Sequence, residues 1–135
     1  MTQNQFILIA EDDPDLSSLL LYHLTRQGYR TLVVSDGRSA VKQAFEQPPD
    51  LLVLDLMLPE LHGLGVCQIL KASAWTWHVP ILVVTATGAD KRERTLRLGA
   101  NDFLGKPFEM AEFISRVQTL LARHQPVDAC HRSFT

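Results

Sequence analysis

The sequence predicts an α/β protein with a doubly wound, five-stranded parallel sheet in a single domain. Three apolar runs, Phe6 to Ala10, Leu51 to Leu54 and Ile81 to Val84, show no alternation with polar residues. Such runs are typical of parallel strands that are buried on both faces. Segments with helical periodicity alternate with these runs along the chain. With 135 residues, of which 46% are apolar, the chain has the length of one domain and can form a core.

Two strand–helix units are predicted before the second apolar run. Pro14 suits the first position of a helix, and Asp12 or Asp13 can cap it. Leucines then recur at helical spacing until Gly28, which ends the helix. The segment from Tyr29 to Val34 is rich in β-forming residues and predicts the second strand.

The second helix starts after the Asp36-Gly37 turn and is closed by Pro48-Pro49. Further strand–helix units follow the third strand. They comprise helices over Leu64 to Ala72, about 89 to 98 and Phe108 to Arg123, strands over Ile81 to Val84 and Asp102 to Leu104, and an unstructured tail over residues 125 to 135. Right-handed crossovers and the strand order 2-1-3-4-5 would place strands one and three at the topological switch point.

Short polar segments stand at the carboxyl ends of the predicted strands. They are Glu11-Asp12-Asp13, Asp55, Thr85, Asp102 and Lys106-Pro107. Because parallel strands end at the same edge of a sheet, the side chains of Glu11, Asp12, Asp55, Thr85 and Lys106 should converge. Carboxylates grouped with one amine and one hydroxyl suggest a site for a hard divalent cation and a phosphoryl group.

The composition argues against several classes of function. Thirteen basic and fifteen acidic residues give a net charge of −2, which predicts no direct binding of nucleic acid or of an anionic membrane. The two cysteines form no disulfide framework or metal-spaced cluster. The amino terminus shows no export signal, and no apolar run approaches the roughly 18 residues of a membrane span. We therefore expect a soluble, cytoplasmic protein.

Four segments of the chain resemble the receiver domain of bacterial two-component response regulators, over essentially residues 6 to 123. They are Ile7 to Pro14 (ILIAEDDP), Asp50 to Pro59 (DLLVLDLMLP), Val83 to Ala86 (VVTA) and Gly99 to Phe108 (GANDFLGKPF). Each is weak alone, but four in this order and spacing are specific. The resemblance implies a CheY-like, flavodoxin-like fold, with a receiver domain over residues 1 to 124 and a tail or the start of a linker over residues 125 to 135.

The resemblance also implies roles for the clustered residues. Asp55 would be the phosphoacceptor, and Lys106 would be the amine that pairs with the phosphoryl group. Mg²⁺, or possibly Mn²⁺, would be bound directly by Asp12, Asp55 and the backbone carbonyl of Met57, and through water by Glu11. Thr85 and Phe103 would be the switch residues. The peptide bond between Lys106 and Pro107 is expected to be cis. Apart from self-catalysed phosphotransfer and autodephosphorylation, the domain would not be an enzyme.

The implied partners are proteins. A sensor histidine kinase or a phosphotransfer protein would supply the phosphoryl group, and a downstream protein or a missing output domain would receive the signal. The face made by the fourth helix, fifth strand and fifth helix is expected to support a homodimer or partner binding, through Arg92, Asp102, Glu112 and Arg116. Reversing the charge of Arg116 should then abolish a phosphorylation-dependent dimer.

Two other functions stay open. One is a pseudo-receiver scaffold that never accepts phosphate. The other is a Mg²⁺-dependent phosphohydrolase with an aspartyl nucleophile, although Met57 cannot serve as the general acid that such enzymes commonly need two residues after the nucleophile. Among the remaining residues, we expect Trp75 and Trp77 to be partly buried packing residues, Cys67 to face the core and His62 to lie in a solvated loop.

Overall fold

Five parallel strands form one sheet in the computed structural model, which describes residues 5–86 and 91–123. The strand order is β2-β1-β3-β4-β5, which confirms the predicted fold class and topology. The strands are β1 (Phe6–Ala10), β2 (Arg30–Val34), β3 (Leu51–Leu54), β4 (Ile81–Thr85) and β5 (Asp102–Gly105). The helices are α1 (Pro14–Arg26), α2 (Gly37–Glu46), α3 (Gly63–Lys71), α4 (Arg92–Arg97) and α5 (Met110–Arg123).

Helices cover both faces of the sheet, and each face has its own apolar core. Successive strand residues point to opposite faces, so that Leu8 and Leu52 pack beneath α2 and α3, whereas Ile9 and Val53 pack beneath α1 and α5. The inward residues of α5 are those that its helical spacing predicts: Phe113, Val117, Leu120 and Leu121. Cys67 faces the core as expected, and burial raises the pKa of its thiol to about 11.

The register of the central strands brings the polar segments together. Ala10 of β1 lies opposite Leu54 of β3, and the Asp55 N–H donates to the Ala10 carbonyl at 3.0 Å. Glu11 and Asp55 therefore leave the sheet side by side. On the other side of β3, the Lys106 N–H donates to the carbonyl of Thr85 at 2.9 Å, which fixes the end of β5 beside the end of β4.

Several element boundaries differ from the predicted ones by one to three residues. Asp13, rather than Asp12, caps α1, because its carboxylate accepts the Asp15 N–H at 3.0 Å. The helix α5 starts at Met110 instead of Phe108, and the Phe113 N–H donates to the Glu109 carbonyl at 3.1 Å. The helix predicted over about 89 to 98 begins outside the described ranges, and its described part, α4, is shorter than predicted. The tail predicted over residues 125 to 135 lies wholly outside the described ranges.

The prediction that Trp75 and Trp77 are partly buried is wrong. They are 58% and 59% exposed. The turn between α3 and β4 is anchored instead by Thr76, whose buried hydroxyl donates to the Leu70 carbonyl at 2.7 Å. With Thr76 pointing inward, its two neighbours point out. No helix in the described ranges is both long and apolar enough to cross a membrane.

Candidate functional site

Three carboxylates meet at the carboxyl edge of the sheet. Glu11 and Asp12 follow β1, Asp55 follows β3, and one oxygen from each lies within 4.8 Å of the others. Glu11 and Asp55 are buried, whereas Asp12 is exposed. The structure therefore brings together the acidic residues that the strand-end pattern singled out.

Lys106 joins the two buried carboxylates from the end of β5. Its Nζ lies 3.0 Å from Glu11 Oε1 and 2.9 Å from Asp55 Oδ2. Backbone N–H groups hold the remaining oxygens, since Met57 donates to Asp55 Oδ1 at 3.0 Å and Asp13 donates to Glu11 Oε2 at 3.1 Å. Each buried carboxylate is thus held on one side by a backbone N–H and on the other by the ammonium group.

Two buried carboxylates share one ammonium group in this cluster, so their ionised forms are only partly compensated. Burial raises the pKa of Glu11 above its ordinary value, and the Asp55 charge adds to the shift, although hydrogen bonds from Asp13 and Lys106 oppose it. Burial alone would lower the pKa of Lys106, but the hydrogen bonds and charges of Asp55 and Glu11 outweigh it and raise that pKa. One ammonium group does not fully compensate two buried carboxylates, so a further cation would relieve the site.

The donor set fits a hard divalent metal ion. All the side-chain ligands on offer are carboxylate oxygens, which suit Mg²⁺ and Mn²⁺ better than softer metals. Asp12 is exposed and contributes its oxygen from the solvent side. Met57 is exposed as well, and its N–H already fixes the peptide next to Asp55.

The two residues expected to act as a switch lie on neighbouring strands. Thr85 is the last residue of β4, is fully buried and lies opposite Gly105 of β5. Phe103 lies opposite Val83, with its side chain mostly buried in the core beneath α2 and α3. Their places near the carboxyl edge are compatible with the expected roles, which remain predictions.

One of the four expected interface residues, Arg116, forms ion pairs with two of the others within the chain. Arg116 on α5 donates to Asp102 Oδ1 at 2.9 Å, to the Phe103 carbonyl at 3.2 Å and to Glu112 Oε2 at 2.8 Å. Arg92 is the first residue of α4 and forms no ion pair with the residues that the structure describes. The spacing of Glu112 and Arg116, four residues apart on a predicted helix, is typical of an ion pair within the helix, whereas nothing in the sequence pattern indicated the contact of Arg116 with Asp102.

The loop after Asp55 has two features that sequence reasoning missed. Glu60 has a positive φ of 72° although it is not a glycine, and Gly37 at the start of α2 lies directly against Leu61. The sequence predicted the Asp36-Gly37 turn, but it did not predict the contact of this turn with a residue far along the chain.

His62, expected to be a solvated loop residue, is exposed but also caps α3, since its Nδ1 accepts the Leu64 N–H at 3.2 Å.

Comparison with known proteins finds one family throughout. The model of the response regulator receiver domain matches residues 7–118. The chain is 40% identical over 123 residues to the alkaline phosphatase synthesis transcriptional regulatory protein PhoP of Bacillus subtilis, covering 90% of this chain and 50% of PhoP. It is also 40% identical over 126 residues to the DNA-binding response regulator MtrA of Mycolicibacterium smegmatis, covering 92% of this chain and 54% of MtrA. The chain thus spans about half the length of these relatives.

Solved structures give the same result. The receiver domain of sensor histidine kinase PA1611 from Pseudomonas aeruginosa, with a magnesium ion in its active site cleft, is 35% identical with a TM-score of 0.82. The match covers 88% of this chain and 98% of that one. The beryllofluoride-activated receiver domain of RstA from Klebsiella pneumoniae is 29% identical with a TM-score of 0.81, covering 87% of this chain and 98% of that one.

Proposed function

The chain belongs to the response regulator receiver domain family of two-component systems, and on this basis we propose that Asp55 accepts a phosphoryl group from a histidine kinase or a phosphotransfer protein. The observation that carries the proposal is the arrangement of the Asp55 carboxylate. It is buried beside Glu11, and its two oxygens are held separately by the Met57 N–H and the Lys106 ammonium group. A carboxylate that is fixed in position and flanked by an ammonium group is suited to attack on an anionic phosphoryl group, because the ammonium group reduces the repulsion between them.

In the proposed transfer, a carboxylate oxygen of Asp55 attacks the phosphorus of a phosphohistidine. A new P–O bond forms, the P–N bond breaks, and the imidazole leaves with the electron pair. Lys106 is placed to compensate the charge of the incoming phosphoryl oxygens, because its Nζ already lies 2.9 Å from Asp55 Oδ2. Thr85 supplies a hydroxyl donor at the neighbouring strand end.

We further propose that the acidic cluster holds Mg²⁺, with Mn²⁺ as a possible substitute. Asp12, Asp55 and the Met57 carbonyl would bind the ion directly, and Glu11 would act through water. When bound, the ion neutralises charge that develops on the phosphoryl oxygens. The mutual proximity of the carboxylates and the raised pKa of Glu11 support this part of the proposal.

The proposed output is a change at the α4-β5-α5 face. The added charge of about −1.5 to −2 would draw Thr85 toward the phosphoryl group and let Phe103 turn inward. We propose that Arg92, Asp102, Glu112 and Arg116 on that face then contact a second copy or another protein.

Some relatives are named as DNA-binding regulators, and any output domain or downstream target, rather than this receiver domain, would make the nucleic-acid contact. A cytoplasmic location stays a prediction.

Intact-mass spectrometry after incubation with phosphoramidate and Mg²⁺ tests the acceptor. The wild-type protein should gain one phosphoryl group, Asp55→Asn should gain none, and Asp50→Asn should react like the wild type. Asp50 is a matched control because it lies at the opposite end of β3, where its carboxylate accepts the Phe6 N–H at 2.7 Å. No gain in the wild-type protein would favour a scaffold, and multiple turnover of a phosphomonoester would favour a phosphohydrolase.

Sedimentation velocity with Mg²⁺ tests the output. Beryllofluoride, a mimic of the aspartyl phosphoryl group, should convert a wild-type monomer into a dimer, and Arg116→Glu should stay monomeric. A dimer that forms equally well with Arg116→Glu would reject this face as the interface. An unchanged wild-type species would indicate either a monomeric receiver that acts on a separate partner or a constitutive oligomer.

A further inference from the structure

The loop that carries the acceptor's neighbours, residues 56–62, rests on the first residue of α2. A Cβ atom added to Gly37 would overlap the Leu61 carbonyl oxygen and would lie 2.7 Å from both the carbonyl carbon and the Cβ of Leu61. The obstructing atoms include backbone, which cannot turn away as the end of a flexible side chain can. Gly37 is therefore required by close approach of the two backbones.

A hydrogen bond at the same place fixes the loop. The Gly37 N–H donates to the Pro59 carbonyl at 3.1 Å, and the Leu61 N–H donates to the same oxygen at 2.8 Å. The second bond spans two residues and encloses Glu60, whose φ is 72°. This is a γ-turn of the rare form with positive φ, which is strained for a residue other than glycine and persists only where its surroundings impose it.

The other end of the loop is fixed against the acceptor itself. The Gly63 N–H donates to the Leu56 carbonyl at 3.0 Å, and a Cβ atom on Gly63 would lie 2.7 Å from the Asp55 carbonyl oxygen. Leu56 and Leu58 are buried in the core. Between these fixed points, the Met57 N–H is held on Asp55 Oδ1 at 3.0 Å. Pro59, which accepts the Gly37 N–H, is only two residues from Met57, so a shift of the γ-turn would act on the Met57 peptide through a short segment.

We propose that Gly37 is a positioning residue for phosphoryl transfer, acting through Pro59 and Leu61 on the Met57 peptide and hence on the Asp55 carboxylate. The inference rests on the proposed function of Asp55. Since nonbonded heavy atoms rest about 3.5 Å apart, a methyl group at residue 37 must move the turn and the start of α2 apart by on the order of 1 Å. A misplacement of about that size at a reacting group can reduce a rate by up to about 100-fold.

The test compares Gly37→Ala with two matched variants. Asp36→Ala removes the N-cap of the same helix, where the carboxylate accepts the Ser39 N–H at 2.7 Å, and adds nothing against Leu61. Gly65→Ala places a Cβ atom 3.0 Å from Leu61 Cδ1, an atom of a side chain that can move. The rate of phosphoryl uptake from phosphoramidate and the affinity for Mg²⁺ are measured where circular dichroism shows every variant to be folded.

We expect uptake by Gly37→Ala to be about 10- to 100-fold slower than in the wild type, with weaker Mg²⁺ binding. Asp36→Ala and Gly65→Ala should stay within about twofold of the wild-type rate, even though loss of the cap lowers the unfolding temperature of Asp36→Ala. Equal slowing in Asp36→Ala and Gly37→Ala would assign the effect to helix stability and overturn the proposal.

An unchanged rate in Gly37→Ala would also overturn it, while leaving Asp55 as the acceptor. If the wild-type protein takes up no phosphoryl group, the proposed function fails and this inference fails with it. If Gly37→Ala does not fold, the change is repeated with Glu60→Gly, because glycine lets the turn move away from the new methyl group. That double variant should fold and still react slowly, and a normal rate in it would overturn the proposal.

Discussion

Two basic residues near β5 each bridge two carboxylates, and the two clusters differ mainly in how deeply those carboxylates are buried. Lys106 lies 3.0 and 2.9 Å from Glu11 and Asp55, and Arg116 lies 2.9 and 2.8 Å from Asp102 and Glu112. The carboxylate side chains are 3% and 6% exposed in the first cluster but 27% and 47% exposed in the second.

This difference in burial gives the same contact distances different consequences. In the Lys106 cluster, poor solvation strengthens both the attraction to the ammonium group and the repulsion between the carboxylates, so the charges respond strongly to a metal ion or a phosphoryl group. In the Arg116 cluster, water screens the charges, and the pairs can be exchanged for partners on another protein at little cost. The first arrangement suits chemistry, and the second suits recognition.

The largest expected effect on stability comes from Lys106→Met. Without divalent cations, this change leaves two buried carboxylates facing each other. It should lower the free energy of unfolding by about 2–4 kcal/mol, less than a fully buried pair would lose, because Lys106 is partly exposed and one carboxylate can take up a proton.

Urea denaturation with EDTA and with Mg²⁺ measures the effect of Lys106→Met. Mg²⁺ should restore part of the loss, since it supplies the missing positive charge. A loss below about 0.5 kcal/mol in EDTA, comparable to that for an exposed pair, would show that burial does not separate the two clusters.

A smaller effect, of opposite sign, is expected for Glu11→Gln. Because the pKa of Glu11 is raised in the folded state, mainly by burial, its ionised form opposes folding. The neutral variant should therefore be the more stable protein at neutral pH in EDTA.

The sign of the pH dependence follows from the same shift. As pH rises from the ordinary Glu11 value of 4.5 through the raised pKa, the wild type should lose stability relative to Glu11→Gln, and below 4.5 the difference should vanish. Urea titrations across this range provide the measurement. A wild type that gains stability relative to the variant over this range would mean that the charge of Lys106 affects the pKa of Glu11 more than burial does.

The smallest expected effect on stability is that of Arg116→Met. Its ion pairs are partly exposed, so the loss should be about 1 kcal/mol or less, and it should shrink at high salt. The same denaturation experiment, repeated with added sodium chloride, tests this. A loss as large as that of Lys106→Met would contradict the distinction between the clusters.

The sequence was sufficient to predict the first cluster but not the second. Glu11, Asp55 and Lys106 converge because parallel strands end at one edge, which the three apolar runs and the short predicted strand over Asp102 to Leu104 were enough to locate. Arg116 was identified as an interface residue only through family resemblance. Its spacing from Glu112 on a predicted helix suits an ion pair, but its contact with Asp102 on β5 depends on tertiary packing that no local pattern specifies. The fold class followed from the alternation of strands and helices, whereas the strand order 2-1-3-4-5 was one of the doubly wound arrangements compatible with that alternation.

The same limit explains the other differences. Whether Trp75 and Trp77 point inward depends on Thr76 being the anchored residue of the turn, and an aromatic residue type favours burial without ensuring it. The contact of Gly37 with Leu61 joins two elements that are distant in sequence, and Glu60, with its positive φ, lies in the turn that makes this contact. Both are tertiary effects that override local propensity.

The most direct measurement is the rate of phosphoryl uptake from phosphoramidate, with Mg²⁺, by Lys106→Met and Arg116→Met side by side. Lys106→Met should react about 10- to 100-fold more slowly than the wild type, because it lacks the cation that faces the acceptor. Arg116→Met should react at the wild-type rate. Equal rates in the two variants would contradict the claim that the buried cluster, and not the exposed one, performs the chemistry.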